Sequence, residues 1–213
     1  MEGNHLMLEY LIKYHGKLEK ALYQHLEIVL ITLVISILVA AVLTVLLLQF
    51  KRLSGLVIHL FEMIYCIPSL ALFAIMIPLT GLGKTTAIIV LVVYNQYLLL
   101  RNFLDGLYHV DPAVVEAATG MGMSRNQILL QVRLPLARKA IFAGVHLAVV
   151  STIGIATIAA TINAGGIGSI LFDGLRTLNT VKIVWGAVMA AGLAIIVNWI
   201  LNAVEKKLGY PKL

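Results

Sequence analysis

The 213-residue sequence is poor in charge. Asp, Glu, Lys and Arg make up 12% of it, against roughly 25% in an ordinary soluble domain. With 61% hydrophobic residues and a mean hydropathy of +0.97, the chain reads as an integral membrane protein. Cysteine is nearly absent. Cys66 stands alone in an apolar run, which excludes an intrachain disulfide and suits a small buried hydrophobe better than a reactive thiol. The sequence also lacks a His/Cys/Asp cluster at metal-ligand spacing, a nucleophile elbow and paired carboxylates, so it offers neither a metal site nor enzyme chemistry. The net charge of +6 comes from basic residues scattered around apolar runs rather than gathered on one face. That pattern fits loops that set orientation and gives no footprint for nucleic acid.

What the chain does have is long uncharged runs. A span needs about 20 apolar residues. Runs 28–48, 53–83, 85–104 (interrupted by Arg101), 140–172 and 183–204 supply five. The expected fold is all-α, with five transmembrane helices over residues 28–204. The first run lies behind a charged segment and is longer than a signal-peptide core, so it is expected to remain as a membrane helix. Residues 1–27 mix Leu, Tyr and Ile with Lys and Glu around Gly16. They read as an extracytoplasmic tail or as an interfacial helix. With the N-terminus outside, ten Lys and Arg fall on the inner side and six on the outer. The positive-inside bias therefore favours that orientation, with residues 205–213 as a cytoplasmic tail.

Residues 105–138 then form one substantial cytoplasmic loop. It contains VEAATGMGMSRNQILLQVRLP at 115–135, too polar to be lipid-exposed. Asp111-Pro112 suits a helix start. Ala113, Ala117 and Met121 share one face, Gly120 and Gly122 permit a sharp turn, and Ser124 with Gln127 fits a capping box. A second helix is expected to stop at Pro135. The loop reads as a helix, a glycine elbow and a helix, with Glu116 as a carboxylate available to a cation. A solvated linker hairpin would show the same local signals.

The spacing goes further. Glu116-Ala117-Ala118, three residues, Gly122, nine residues and Val132-Arg133-Leu134-Pro135 resemble the E-A-A signature of permease subunits from binding-protein-dependent ATP-binding-cassette importers. The stretches IPSLALFAIMIPLTGLG (67–83), LLLRN (98–102) and NAGGIGS (163–169) are similar to permeases for quaternary-ammonium osmoprotectants such as glycine betaine, carnitine and choline. The resemblance implies a fold like that of the methionine-importer permeases, in a bacterial inner membrane. It also implies a second permease copy or paralogue and an extracytoplasmic substrate-binding protein. A cytoplasmic ATPase would use the ATP and magnesium, leaving this chain without a cofactor. Glu116, Ala117, Ala118, Gly120, Gly122, Leu134 and Pro135 would then form the ATPase-coupling surface. In this family a Pro usually precedes the residues matched by Leu100-Arg101-Asn102. Here that segment reads Asn95-Gln96-Tyr97-Leu98, so span three should be straighter and more polar.

Other motifs are weighed on their context. GLGKTT at 81–86 has Pro78 where a phosphate-binding loop needs Gly, and no strand precedes it, so nucleotide binding there is rejected. AGGIGS at 164–169 follows a membrane helix, which rules out a dinucleotide loop. Asn163, Gly165, Gly166 and Gly168 suit either a re-entrant segment near an outer gate or a flexible extracellular turn. Pro68 and Pro78 should bend span two, and the bend makes Pro68 a path candidate. Glu62 is a path candidate, or it snorkels or pairs with His59. Asn95 and Gln96 fit either a path lining or interhelical hydrogen bonding. The eight Tyr and two Trp are spread along the chain, and no aromatic cage is expected from that spread. Selectivity is then assigned to the binding protein, over a path of small and polar residues. The alternatives are an importer permease for an amino acid or another small solute, or a self-contained secondary transporter or channel. The latter lacks the internal repeat its class usually carries.

Overall fold

The computed structural model describes residues 2–208, with side chains described from 7 to 207, and no strand occurs among them. The helices are α1 (Glu2–Leu47), α2 (Lys51–Tyr65), α3 (Ser69–Thr80), α4 (Lys84–Tyr108), α5 (Pro112–Gly120) and α6 (Arg125–Gln127). A π-helical stretch, Ile128–Arg133, leads into α7 (Leu134–Leu136) and α8 (Arg138–Ile158), which tightens into a 3₁₀ turn, Ala159–Ile162. Then come α9 (Gly168–Arg176) and α10 (Thr180–Leu208). Among the described residues four helices are long and apolar enough to cross a membrane, and the bent pair α2–α3 makes up to five.

Residues 2–27 are helical and lead into the first span, with a kink at Tyr14 separating a short N-terminal helix from the long one. α1 runs on for 46 residues with one non-helical position, Tyr14. Beyond the kink, residues 15–47 rise about 50 Å at 1.5 Å per residue, more than a hydrocarbon core of about 30 Å. Tertiary packing carries its extra length. Tyr10, Leu18 and Ala21 form a core cluster with Ile170 of α9, and Val181, Trp185 and Met189 of α10 pack against it. Trp185 Nε1 donates to the Met7 carbonyl at 3.2 Å. At residue 27 the helix is continuous, and Lys84, at the start of α4, pairs with Glu27 at 2.5 Å. At the other end residues 205–208 continue α10; 209–213 lie outside the described residues.

α2 and α3 meet at 97°. Pro68 lacks an N–H and disfavours helix in the residue before it, so the chain breaks at 66–68. The Ile67 carbonyl left at the break accepts from the Tyr94 hydroxyl at 2.5 Å. The break turns Cys66 outward, so it is exposed and not the buried hydrophobe expected. Pro78 sits within the last turn of α3 without ending it. α4 is unbroken, as the missing Pro implied.

The main core is built by α1, α4 and α8, with Ile28 and Val29 of α1, Leu91, Leu99 and Leu100 of α4, and Ala148 and Ile153 of α8 buried together. Small residues bring the backbones close. A Cβ on Gly106 would lie 2.6 Å from Ala140 Cβ, and one on Gly144 would lie 2.7 Å from Asn102 Cβ.

Candidate functional site

The hairpin between α4 and α8 forms much as its local chemistry dictates. Asp111 caps α5 by accepting from the Ala113 N–H at 2.9 Å. α5 ends at Gly120, and Gly122 takes the turn with φ of 81°, a left-handed backbone open to glycine. The Ser124–Gln127 capping box is present in both directions. Ala113, Ala117 and Met121 are exposed on one face, with Glu116 beside them. Ala118 is turned inward and buried, as is Ile128 on the facing segment. Leu130 (62% exposed) and Leu134 (40%) add apolar surface outside the chain, and only Leu134 had been singled out from the sequence.

Pro135 does not stop the second helix. It sits in the first turn of α7, and the turns before it are widened into the π-stretch. In a regular α-helix the Pro135 ring would clash with the Gln131 carbonyl; the wider winding accommodates it.

At the far end of the bundle, the segment 163–168 is a loop packed against α1 and α8. Ala164 and Ile167 are buried. Asn163, Gly165 and Gly166 all have positive φ. The Gly166 N–H donates to Gln24 Oε1 of α1 at 3.2 Å. A Cβ on Gly166 would lie 2.9 Å from His25 Nδ1, and one on Gly168 would lie 1.8 Å from the Thr157 carbonyl oxygen. Glycine is required here by contact with α1 and α8. Nearby, Lys182 donates to the Asp173 carboxylate at 3.0 Å, and Lys17 approaches the same oxygen at 3.4 Å. The Lys182 hydrogen bond, with the charge of Lys17 adding to it, holds the Asp173 carboxyl below the ordinary carboxylate range against a smaller opposing effect of burial.

Asn95 and Gln96 are buried inside the chain and tie three helices. Asn95 Nδ2 donates to Ser36 Oγ (3.2 Å) and Thr152 Oγ1 (2.8 Å), while Thr152 donates to the Ala148 carbonyl (2.6 Å). Gln96 Nε2 donates to the Val92 carbonyl at 3.0 Å and lies 3.4 Å from that of Ser36. As placed, this pair is engaged in interhelical bonding.

Glu62 does pair locally, and with more than His59. His59 Nδ1 lies 3.1 Å from Oε2, the Tyr97 hydroxyl donates to Oε1 at 3.0 Å, and Arg101 Nη1 lies 3.7 Å from Oε1. Arg101 also donates to the Tyr97 hydroxyl. The tyrosines are not all dispersed, contrary to their spread in sequence. The Tyr65 ring lies 5.6 Å from Tyr94, edge-on, and 5.2 Å from Tyr97. Arg101, interrupting span three four residues after Tyr97, was the sequence signal for this cluster.

Comparison with known proteins settles the class. The family model described as binding-protein-dependent transport system inner membrane component matches residues 32–210. The chain belongs to this family and is the permease subunit of an ATP-binding-cassette importer. It is 36% identical over 204 residues to the choline transport system permease protein OpuBB of Bacillus subtilis, covering 96% of this chain and 94% of that one. It is 37% identical over 201 residues to the glycine betaine/carnitine/choline permease OpuCB of the same organism, covering 94% and 93%. The osmoprotectant import permease OsmW of Salmonella typhimurium is 34% identical over 203 residues, covering 93% and 94%. Among solved structures, an inward-facing MetNI methionine transporter matches with a TM-score of 0.75 at 19% identity, covering 92% of this chain and 96% of that one. An amino acid transporter solved with histidines gives 0.77 at 17%, with the same coverage. These last two establish the fold.

Proposed function

We propose that this permease imports a quaternary-ammonium osmoprotectant, a solute of the glycine betaine, carnitine or choline type. The similarity over nearly the whole chain to osmoprotectant permeases carries the reading. The sparse charge within the spans supports it. Among the described residues no group of three His, Cys, Asp or Glu could hold a metal cation, and the charges paired at Glu62 and Arg101 are of opposite sign, which suits a zwitterion better than phosphate or sulfate. A path that releases its cargo must also bind it weakly.

In this reading the hairpin docks on a cytoplasmic ATPase that binds ATP and magnesium. Glu116 meets a basic residue there, and Gly122 and Pro135 shape the elbow. Two permease units, identical or paralogous, enclose the path, and an extracytoplasmic binding protein delivers the solute. The N-terminus lies outside and the C-terminus in the cytoplasm, with the glycine loop at the outer gate.

The test is uptake of radiolabelled solutes by proteoliposomes holding the permease, its ATPase and its binding protein. Import of a quaternary-ammonium solute is expected. Robust uptake of an ordinary amino acid, with none of any quaternary-ammonium solute, would overturn the substrate.

A further inference from the structure

The cluster around Glu62 is built oddly for a structural tie. α2 starts at Lys51, so Glu62 lies about 16 Å along the helix, and Arg101 lies about 10 Å from the loop end of α4. Both are within the depth of a hydrocarbon core. The ion pair is nonetheless open to the outside of the chain, with side-chain exposures of 40% for Glu62 and 60% for Arg101. Charges at that depth do not face lipid tails; they face a bundle interior or a water-filled cavity.

Its chemistry is also incomplete. Arg101 approaches Glu62 only at 3.7 Å and gives its one described hydrogen bond to the Tyr97 hydroxyl, although a guanidinium offers five donors in a planar fork suited to a carboxylate. The guanidinium lies 5.6 Å from the Tyr97 ring centre, where aromatic faces hold cations. Tyr65 packs against both Tyr94 and Tyr97, and the Tyr97 hydroxyl reaches the Glu62 carboxylate, so a tyrosine cluster stands beside that group.

We propose that Glu62, Arg101, Tyr97 and Tyr65 form a low-affinity station for a zwitterionic quaternary-ammonium solute, which replaces the internal Glu62–Arg101 pair. The solute carboxylate takes the Arg101 fork. Its trimethylammonium takes the tyrosine faces beside Glu62, where the guanidinium now sits. The exchange conserves charge: a zwitterion satisfies both members of the pair, while a bare cation such as choline leaves Arg101 unpaired and repelling. The station therefore favours betaine-type solutes over choline. This rests on the functional reading above and deepens it by naming the residues and the preferred charge pattern.

The experiment measures binding of radiolabelled glycine betaine and choline to the permease–ATPase complex in nanodiscs without binding protein, beside uptake by the complete system. Arg101→Gln should weaken glycine betaine about tenfold and leave choline unchanged or tighter. Tyr65→Leu should weaken both by up to about tenfold. The ratio of the two solutes is unmoved by a general loss of folded complex. An unchanged ratio in Arg101→Gln, or a wild-type complex that imports glycine betaine but binds none without the binding protein, overturns the station and leaves the functional reading intact. A wild-type complex that neither imports nor binds any quaternary-ammonium solute overturns both.

Discussion

Gly168→Ala adds one methyl group at the junction where the glycine loop enters α9. The added Cβ would lie 1.8 Å from the Thr157 carbonyl oxygen, 2.7 Å from the Thr157 carbonyl carbon and 2.9 Å from Ala160 Cβ. A carbon and a carbonyl oxygen rest about 3.3–3.6 Å apart, so the overlap is about 1.5 Å. Two of the three obstacles are backbone at the end of α8, which has no rotamer to change, so the end of α8 and the start of α9 must separate. Overpacking costs about 1–3 kcal/mol where side chains can yield, and here the cost should reach about 3 kcal/mol or more. For a chain of this size that corresponds to a fall in Tm of roughly 6–12 °C. Thermal unfolding of the detergent-purified permease reads it directly. Gly154→Ala is the matched control: it lies within α8 with nothing within 4 Å of its added Cβ, and Ala is the better helix former by about 1 kcal/mol. The same substitution should thus act with opposite sign at the two sites. A Gly168→Ala protein that melts within a degree of wild type would refute the close packing of the loop on α8.

Glu116→Lys, or Gly122→Val at a φ of 81°, should insert normally yet lose ATPase co-purification and uptake, because one reverses an exposed charge and the other strains the elbow by about 1–3 kcal/mol; normal uptake at wild-type expression would count against docking. Asn95→Leu removes contacts to Ser36 and Thr152. At about 0.6 kcal/mol each, thermal unfolding should show a loss of roughly 1–2 kcal/mol, and no loss would mean the tie is idle. Asp173 has a depressed pKa in the folded chain, so its contribution is present above the unfolded carboxylate value of about 3.9 and is lost as pH falls through the lower folded value. Wild type should lose that contribution below about pH 4, whereas Asp173→Asn should be less stable at neutral pH and lack the acid step; identical profiles of Tm between pH 3 and 7 would refute it.

The parts legible in the sequence are those set by local chemistry. Uncharged runs located the spans because lipid tolerates little else. Asp111, Gly122, Ser124 and Gln127 located the hairpin because caps and elbows are decided within four residues. What local chemistry does not decide depends on distant partners. α1 continues through residue 27 because α9 and α10 lie beside it. Pro135 was read as a stop, since nothing local distinguishes a terminated helix from one widened into π-turns. Pro68 announced a bend, but only packing sets it at 97°. Tyr65, Tyr94 and Tyr97 read as dispersed because the fold, and not the sequence, brings α2 onto α4.

The contacts also differ in kind across the bundle, and that difference ranks its seams. α8 is fastened to α4 by buried hydrogen bonds through Thr152 and by glycine-close backbones at Gly106 and Gly144. It is fastened at one end to the hairpin through α7 and at the other to the glycine loop through Thr157. A displacement at the hairpin is therefore delivered to a stiff body, because close-packed backbones and satisfied buried bonds do not slide cheaply. α2 is held differently. Ser54 is its one fully buried residue, and its polar ties to α4 run through the exposed Glu62–Arg101–Tyr97 group and the Tyr108–Ser54 contact. Exposed ion pairs contribute about 0–1 kcal/mol. With a chain break already present at Pro68, the α2–α4 seam, among the described residues, lacks the fully buried hydrogen bonds that fasten α8 to α4. The charges that close it are the same charges a zwitterion would satisfy in their place.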